Sequence, residues 1–435
     1  MIQKIKGTID VLPDETPLYR KIETVMREEA KNYGFGEIRT PTFENTELFE
    51  RGVGDTTDVV QKEMYTFVDR DENRRISLRP EGTASVVRAL IEHGCQSEPM
   101  PLKYYYLISC FRHEAPQAGR SREFFQFGAE LFGADSPAAD ATMIALASSV
   151  FRRLRLSGIT LHLNSIGCKN CRPNYRSALV SYFGSHREQL CDTCKTRLEK
   201  NPLRLLDCKS PICSEIAKGA PKTVDYLCED CKKHFDTLTR LLDGMGIAYV
   251  VDPAIVRGLD YYTRTVFEFI ADGIGAQSTV CGGGRYDGLV EELGGSPLPA
   301  IGFAMGLTRV ILALRAQGIA DPTPDAPRLY IAALGDEAAV AASVITERLR
   351  RSRYYVECDL VGRSLKAQMK YANKIGANFV LILGDNELAN GTADLRSMET
   401  GKQYTVRLIS NDIRQAMAYI AKEEGFYNPR KVYRP

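Results

Sequence analysis

The chain has 435 residues, 44% of them hydrophobic, with 57 Lys and Arg against 55 Asp and Glu for a formal charge of +2. That length predicts two or three domains with sizeable cores, and the near-neutral balance excludes a purely electrostatic nucleic-acid binder while leaving room for local docking patches. No run approaches the ~18 apolar residues that a membrane span needs, and the opening MIQKIKGTIDVLPDE has no apolar h-region, so the expectation is a cytoplasmic chain without a secretion signal or membrane segment.

In chain order, Leu18, Ile22, Val25, Met26 and Tyr33 lay out a helical apolar stripe over 16–33 that Glu29 interrupts. GFGEIRTP then breaks to a strand ending at Pro41. Residues 63–90 alternate and turn helical from about Glu81. YYYLISCF (104–111) and EFFQFGAEL (123–131) read as two buried antiparallel strands joined by the polar loop HEAPQAGRSR. A helix over 138–156 and the strand LHLNSI (161–166) follow. A Cys-rich, mostly helical stretch then runs to about 244. Strand pattern resumes in AYVVDPAIVRGLDYYTRTVFEFI, CGGGRYDGLV reads as a glycine-rich turn, and GFAMGLTRVILAL as strand into helix. The segment 317–327, QGIADPTPDAP, is the clearest linker. Beyond it strands at RLYIAALG, YYVECDL, FVLILG, TADLRSM and KQYTVRL alternate with helices over 336–351 and 364–375, before a last helix near 410–424. That alternation implies a small mixed or parallel sheet.

Four places put polar groups where structure alone gives little reason for them. RGLDYYTRTVFE (257–268) packs Arg257, Asp260, Tyr261, Tyr262 and Arg264 into a stretch of β character. A buried Arg needs an anion and buried tyrosine hydroxyls need partners, so this is either an ion-paired strand or a site that grips an anion and a small polar molecule. Arg112, in FRHE, leaves the end of an apolar strand, either to pair with a nearby acid or to offer its fork of N–H donors to a carboxylate or phosphate. The small residues at 302, 304 and 306 allow close backbone approach, by ordinary packing or to a ligand, with Arg309 one helical turn beyond. In LRPEGTAS, Glu81 and Thr83 sit at a strand-to-helix turn, where they serve the helix start or a substrate.

Taken together, FRHE with REFFQFGAE resembles motif 2 of the class II aminoacyl-tRNA synthetases, GFAMGLTRV resembles motif 3, and RGLDYYTRTVFE and GGGRYDGL resemble signatures of the bacterial-type histidyl-tRNA synthetases. The resemblance covers essentially the whole chain. It implies an α+β fold: an antiparallel catalytic sheet with flanking helices over 1–322, a helical Cys-rich insertion at 167–244 set over the tRNA acceptor stem, and an α/β anticodon-binding domain over 328–435. It implies an ATP-dependent ligase that activates L-histidine as the adenylate and passes it to the 3′ end of histidine tRNA, with Mg²⁺ accompanying ATP. It also implies a homodimer built around the segment near Pro41. Carried over residue by residue, Arg112 and Arg257 clamp the reacting carboxylate and α-phosphate. Glu81, Gly82, Thr83, Gln126, Glu130, Tyr261 and Tyr262 bind histidine, Glu130 and Tyr262 at the imidazole. Glu114, Arg120, Phe124 and Arg309 join Arg112 on ATP, and Gln117 and Arg122 meet the tRNA acceptor end. The loop departs from the family's habit at Ala115, Ser121 and Phe125, where an arginine, an aromatic and a histidine are common. A histidine-binding regulatory paralogue without catalysis is the alternative; such relatives lose motif 2, the Arg257 clamp or the C-terminal domain, and this sequence has all three.

Eight of the twelve cysteines form close pairs: Cys168 with Cys171, Cys191 with Cys194, Cys208 with Cys213, and Cys228 with Cys231. Repeated C-x-x-C spacing is a strong structural zinc (Zn²⁺) signal, because two thiolates so spaced can hold one tetrahedral ion. Eight sulfurs suit two four-Cys sites or one site with spare thiols, and free thiols, redox disulfides or an iron–sulfur cluster are the competing readings.

Overall fold

The structure, a computed structural model, describes residues 1–425 apart from 55–56, 71–73, 207, 209, 257–258, 260, 276–277, 320 and 323. It divides into two compact units, 1–322 and 323–435.

The first unit is built on an eight-stranded sheet. Its order is Gly36–Glu37, Leu102–Phe111, Glu123–Phe132, Ala300–Gly306, Thr279–Arg285, Thr263–Ala271, Ile159–Ser165, Tyr249–Val251. The six inner strands pair antiparallel, and each edge strand pairs parallel with its neighbour. Alternation decides the two faces. Phe127, Ala129 and Leu131 join the larger core, which the helices Thr16–Asn32, Pro137–Arg153 and Leu307–Ala316 cover. Phe132, with Tyr106, Ile108 and Cys110 across the ladder, turns to the other face, under helix Thr83–Glu92. Glu29, which breaks the first helix's stripe, is buried against the next helix, accepting from the Ser149 hydroxyl and from Arg153 at 2.9 Å.

Two expectations are corrected. CGGGR is not a turn. Thr279–Arg285 is an inner strand, and its glycines are there because Cβ atoms at Gly283 and Gly284 would lie 2.3 and 2.5 Å from neighbouring strand carbonyls. The strand read through 248–270 is also interrupted. Tyr249–Val251 and Thr263–Ala271 are strands, while the described residues between them are not. Pro253 helps break the run, since it has no N–H to give to a ladder.

The Cys-rich insertion holds helices Arg172–Ser185, Asp192–Lys200, Pro211–Ala217 and Glu229–Gly244 around a small core of Tyr175, Leu179, Phe183, Leu190, Leu198 and Leu205. Its last helix turns back, burying Phe235, Leu238 and Leu242 in the main core. A three-stranded sheet, Phe43–Asn45, Arg75–Leu78, Thr66–Val68, stands apart from the large one. The second unit has a five-stranded mixed sheet in the order Val356–Cys358, Leu329–Ala333, Phe379–Leu383, Thr392–Ser397, Gln403–Arg407. Its first three strands are parallel and its last two antiparallel. Among the described residues no helix is long and apolar enough to cross a membrane.

Candidate active site

Strand Glu123–Phe132 carries Gln126 and Glu130 toward the face under helix Thr83–Glu92. Glu130 is fully buried. Its Oε1 accepts from the Thr83 hydroxyl at 2.8 Å and the Tyr106 hydroxyl at 3.0 Å, and its Oε2 accepts from Tyr286. Burial nevertheless wins over those hydroxyls and pushes the carboxyl up to about 8. When ionised, a carboxylate has about four acceptor positions, so the three hydroxyls leave Glu130 one for a further donor, and a bond there favours the charged form.

The backbone makes room for this cluster. A Cβ at Gly302, directly across the ladder, would fall 1.6 Å from Glu130 Oε2. At Gly128 and Gly82 it would fall 2.1 and 2.5 Å from the Tyr106 ring. The small-residue signal at 302 is therefore a real close approach. Tyr261 meets the Tyr286 ring edge-on at 5.5 Å and packs on Tyr262 at 4.6 Å. Tyr106 carries no expectation from the sequence, and Tyr286 only that of its segment GGGRYDGL, which the resemblance sets along the histidine pocket. The available signal for Tyr106 was a glycine, Gly128, paired opposite an aromatic.

Glu81 is buried at the start of the same helix, accepting from the backbone N–H of Thr83 at 2.7 Å and of Ala84 at 2.9 Å. Burial raises its pKa, against the pull of those two N–H groups. Arg112 is tied beside it, its Nε donating to the Pro80 carbonyl at 2.9 Å and its guanidinium lying 5.3 Å from the centre of the Phe124 ring.

From there a cleft of about 700 Å³ opens, lined by Arg112, Glu114, Arg120, Phe124, Gln126 and Arg309 among others. Arg120 pairs with Glu114 at 3.0 Å. Arg309 reaches the Thr279 carbonyl at 2.7 Å and the Gly119 carbonyl at 3.2 Å. Burial first, then the nearby Arg120, lowers the Arg309 pKa, the mark of cations crowded together. Such a cleft favours an elongated polyanion with an apolar end.

The remaining described residues take several positions around the cleft and beyond it. Gln117 is exposed on the loop turn, bridged to Arg120. Arg122 packs its stem near Gly7, and its backbone N–H donates to the Gly7 carbonyl at 2.6 Å. Tyr262 fronts a second cavity of about 620 Å³ against the insertion. Phe125 lines the cleft and meets Tyr19 edge-on at 6.4 Å. Arg257 lies outside the described residues.

The eight paired cysteines come together as two tetrads, Cys168, Cys171, Cys228, Cys231 and Cys191, Cys194, Cys208, Cys213, each with its sulfurs within 4.8 Å of one another.

Residues 7–170 and 215–310 match a family model described as histidyl-tRNA synthetase, and 328–411 match an anticodon binding domain. The chain is 52% identical over 94% of its length to a histidine–tRNA ligase of Acetivibrio thermocellus, of which it covers 98%. It is 50% identical over 95% of its length to one of Caldanaerobacter subterraneus, again covering 98%. The crystal structure of apo histidyl-tRNA synthetase from S. aureus superposes with a TM-score of 0.81 at 36% identity, covering 96% of this chain and 99% of that one.

Proposed function

The chain belongs to the histidyl-tRNA synthetase family, and from that premise we propose which of its residues perform each part of the reaction. As a histidine–tRNA ligase it is an ATP-dependent aminoacyl-tRNA synthetase, and as a class II enzyme it uses ATP with Mg²⁺. Its substrates are histidine and tRNA.

The observation that carries the residue assignment is the meeting of a buried carboxyl cage with an arginine-lined cleft on one face of the sheet. Histidine lies with its imidazole toward Glu130, whose fourth acceptor position takes a ring N–H, and toward Tyr261 and Tyr262. Gln126 flanks it. Its α-ammonium faces Glu81, beside Gly82 and Thr83. The carboxylate then points to Arg112. ATP occupies the cleft, its adenine on Phe124 near Glu114, its phosphates between Arg112, Arg120 and Arg309. Attack of a histidine carboxylate oxygen on the α-phosphorus releases pyrophosphate and forms the adenylate; the terminal ribose hydroxyl of tRNA then displaces AMP. Charge builds on the α-phosphoryl oxygens in the first step, and prepositioned guanidiniums stabilise it there. Arg257 is the second clamp by family resemblance. Gln117 and Arg122 meet the acceptor end. Rejection of other amino acids follows from leaving the Glu130 carboxyl without its ring donor.

We assign 1–322 as the catalytic core, 167–244 as its inserted domain and 328–435 as the anticodon-binding domain. A cytoplasmic homodimer is the assembly we favour, supported by Phe43, Phe67 and Val68, which stand exposed on the small three-stranded sheet.

The test is amino-acid-dependent ATP–pyrophosphate exchange with all twenty amino acids. Exchange with histidine alone is expected, and Arg112→Ala is expected to lower it by about a hundredfold or more. Exchange with a different amino acid overturns the pocket assignment. Histidine binding without exchange favours the regulatory paralogue.

A further inference from the structure

The two cysteine tetrads have the dimensions of metal centres. A tetrahedral zinc with bonds of about 2.3 Å sets its sulfurs about 3.8 Å apart. Cys168 Sγ lies 3.7 Å from Cys171 Sγ and 3.9 Å from Cys228 Sγ, and in the second tetrad Cys191 Sγ lies 3.9 Å from Cys208 Sγ. Each distance is far beyond the roughly 2 Å of a disulfide. Backbone N–H groups point at the sulfurs: Asn170 at Cys168 (3.4 Å), Cys228 at Cys171 (3.1 Å), Cys191 at Cys213 (3.3 Å) and Ser210 at Cys208 (3.5 Å). Such donors stabilise thiolates. Four thiolates leave no open position on the ion, which makes the role structural.

The first tetrad closes the neck of the insertion, joining residues 60 positions apart in sequence. It is also tied to the carboxyl cage at two places. In front, Gly167 accepts from the Arg264 N–H at 2.9 Å and the Thr263 hydroxyl at 3.2 Å, and the Arg172 guanidinium donates to the Tyr262 carbonyl. Gly167 and Arg172 directly flank the Cys168–Cys171 loop, so the loop grips the end of the segment that carries Tyr261 and Tyr262. Behind, His234 lies one helical turn beyond Cys231, and its Nε2 meets Asp140 Oδ2 at 2.8 Å. Asp140 Oδ1 accepts from Arg285 Nε at 2.8 Å, and the next residue, Tyr286, donates to Glu130. Asp140, Arg285 and Glu130 are wholly buried, so this chain of contacts has little room to slacken.

We propose that the eight cysteines hold two zinc ions, each in one tetrad, and that the ion on Cys168, Cys171, Cys228 and Cys231 positions the histidine pocket. The positioning role rests on the assignment of Glu130, Tyr261 and Tyr262 to that pocket; the metal assignment does not. The Cys168 centre touches no reacting atom and acts by holding Tyr262 on one side and Tyr286 on the other.

Elemental analysis of the full chain purified without chelator is expected to find two zinc ions, and the Cys228→Ser/Cys231→Ser variant one. In pyrophosphate exchange that variant is expected to raise the KM for histidine about tenfold, the size of a typical coupling between linked sites, with the KM for ATP within about twofold. His234→Ala is expected to keep both ions yet raise the histidine KM, which separates the linkage from the metal. Should the double variant fold poorly, the full chain stripped and refilled with Co²⁺ is expected to show the absorption of tetrahedral cobalt thiolate, saturating at two equivalents. No zinc, a single ion in the unaltered chain, or iron in its place overturns the metal assignment. Equal movement of both KM values, or movement of neither, overturns the positioning role. Two zinc ions with exchange supported by no amino acid overturns the catalytic reading and the positioning role with it, and leaves the metal assignment supported.

Discussion

Glu130 concentrates the chemistry of this molecule into one side chain. Three hydroxyls favour its charged form and burial opposes it, and burial is the larger effect, holding the carboxyl at about 8. Because the folded value lies above the unfolded one, the folded state binds the proton more tightly. Its contribution to stability is complete below about pH 4.3 and is lost as pH rises through about 8. Glu130→Gln carries no such proton. Its melting temperature is therefore expected to change less than that of the unaltered chain between about pH 6 and pH 9, as scanning calorimetry would register. A parallel pH dependence in both proteins would refute the raised pKa. Gly302 is the cage's other fixed point. A Cβ there would sit 1.6 Å from Glu130 Oε2, and the carboxylate is anchored too firmly to yield without moving. Gly302→Ala is expected to displace it by enough to lower histidine-dependent exchange about a hundredfold. Unchanged kinetics would show that the cage gives way cheaply.

At the scale of elements, ion pairs differ by where they sit. Asp140, on helix Pro137–Arg153, joins Arg285 of an inner strand to His234 of the insertion's last helix, with the Asp140 and Arg285 side chains fully buried. Removing its carboxylate takes the partner from Arg285 Nε and leaves the charge of a fully buried guanidinium to Asp287, at 2.9 Å. Asp140→Ala is expected to cost about 3 kcal/mol or more by urea unfolding. The exposed Arg187–Glu199 pair, whose two side chains are 51% and 64% exposed, ties a turn to helix Asp192–Lys200 on the insertion surface. Arg187→Ala is expected to cost under about 1 kcal/mol. Similar losses for the two variants would refute this ranking by burial.

At the scale of the whole molecule, 1–322 and 323–435 each have their own hydrophobic core. Every described residue of the cage and the cleft belongs to the first. A chain ending at 322 is expected to retain histidine-dependent exchange within about tenfold while losing most tRNA aminoacylation, since the second unit matches an anticodon binding domain. Loss of exchange in step with aminoacylation, in a truncated chain that stays folded, would show that the second unit also supports the pocket.

The sequence alone sufficed wherever one residue type had one physical use. Apolar runs either side of a polar loop marked strands 104–111 and 123–131, the prolines of 317–327 pointed to a linker, and Arg112 stood out as a guanidinium ending an apolar strand. The repeated C-x-x-C spacing marked thiol pairs. Tertiary structure decided what depends on which strands become neighbours. CGGGR looks like a turn until it is placed between two inner strands whose carbonyls leave no space for a Cβ. Tyr286 joins Glu130 only because a segment 156 residues on comes to lie beside that strand, and the eight cysteines sort into two tetrads only once the insertion folds back on its own neck. Local pattern reports propensity and periodicity, which are properties of a segment, whereas hydrogen-bond partners and ligand sets are properties of approach between segments, and that is set by the packing of the whole unit.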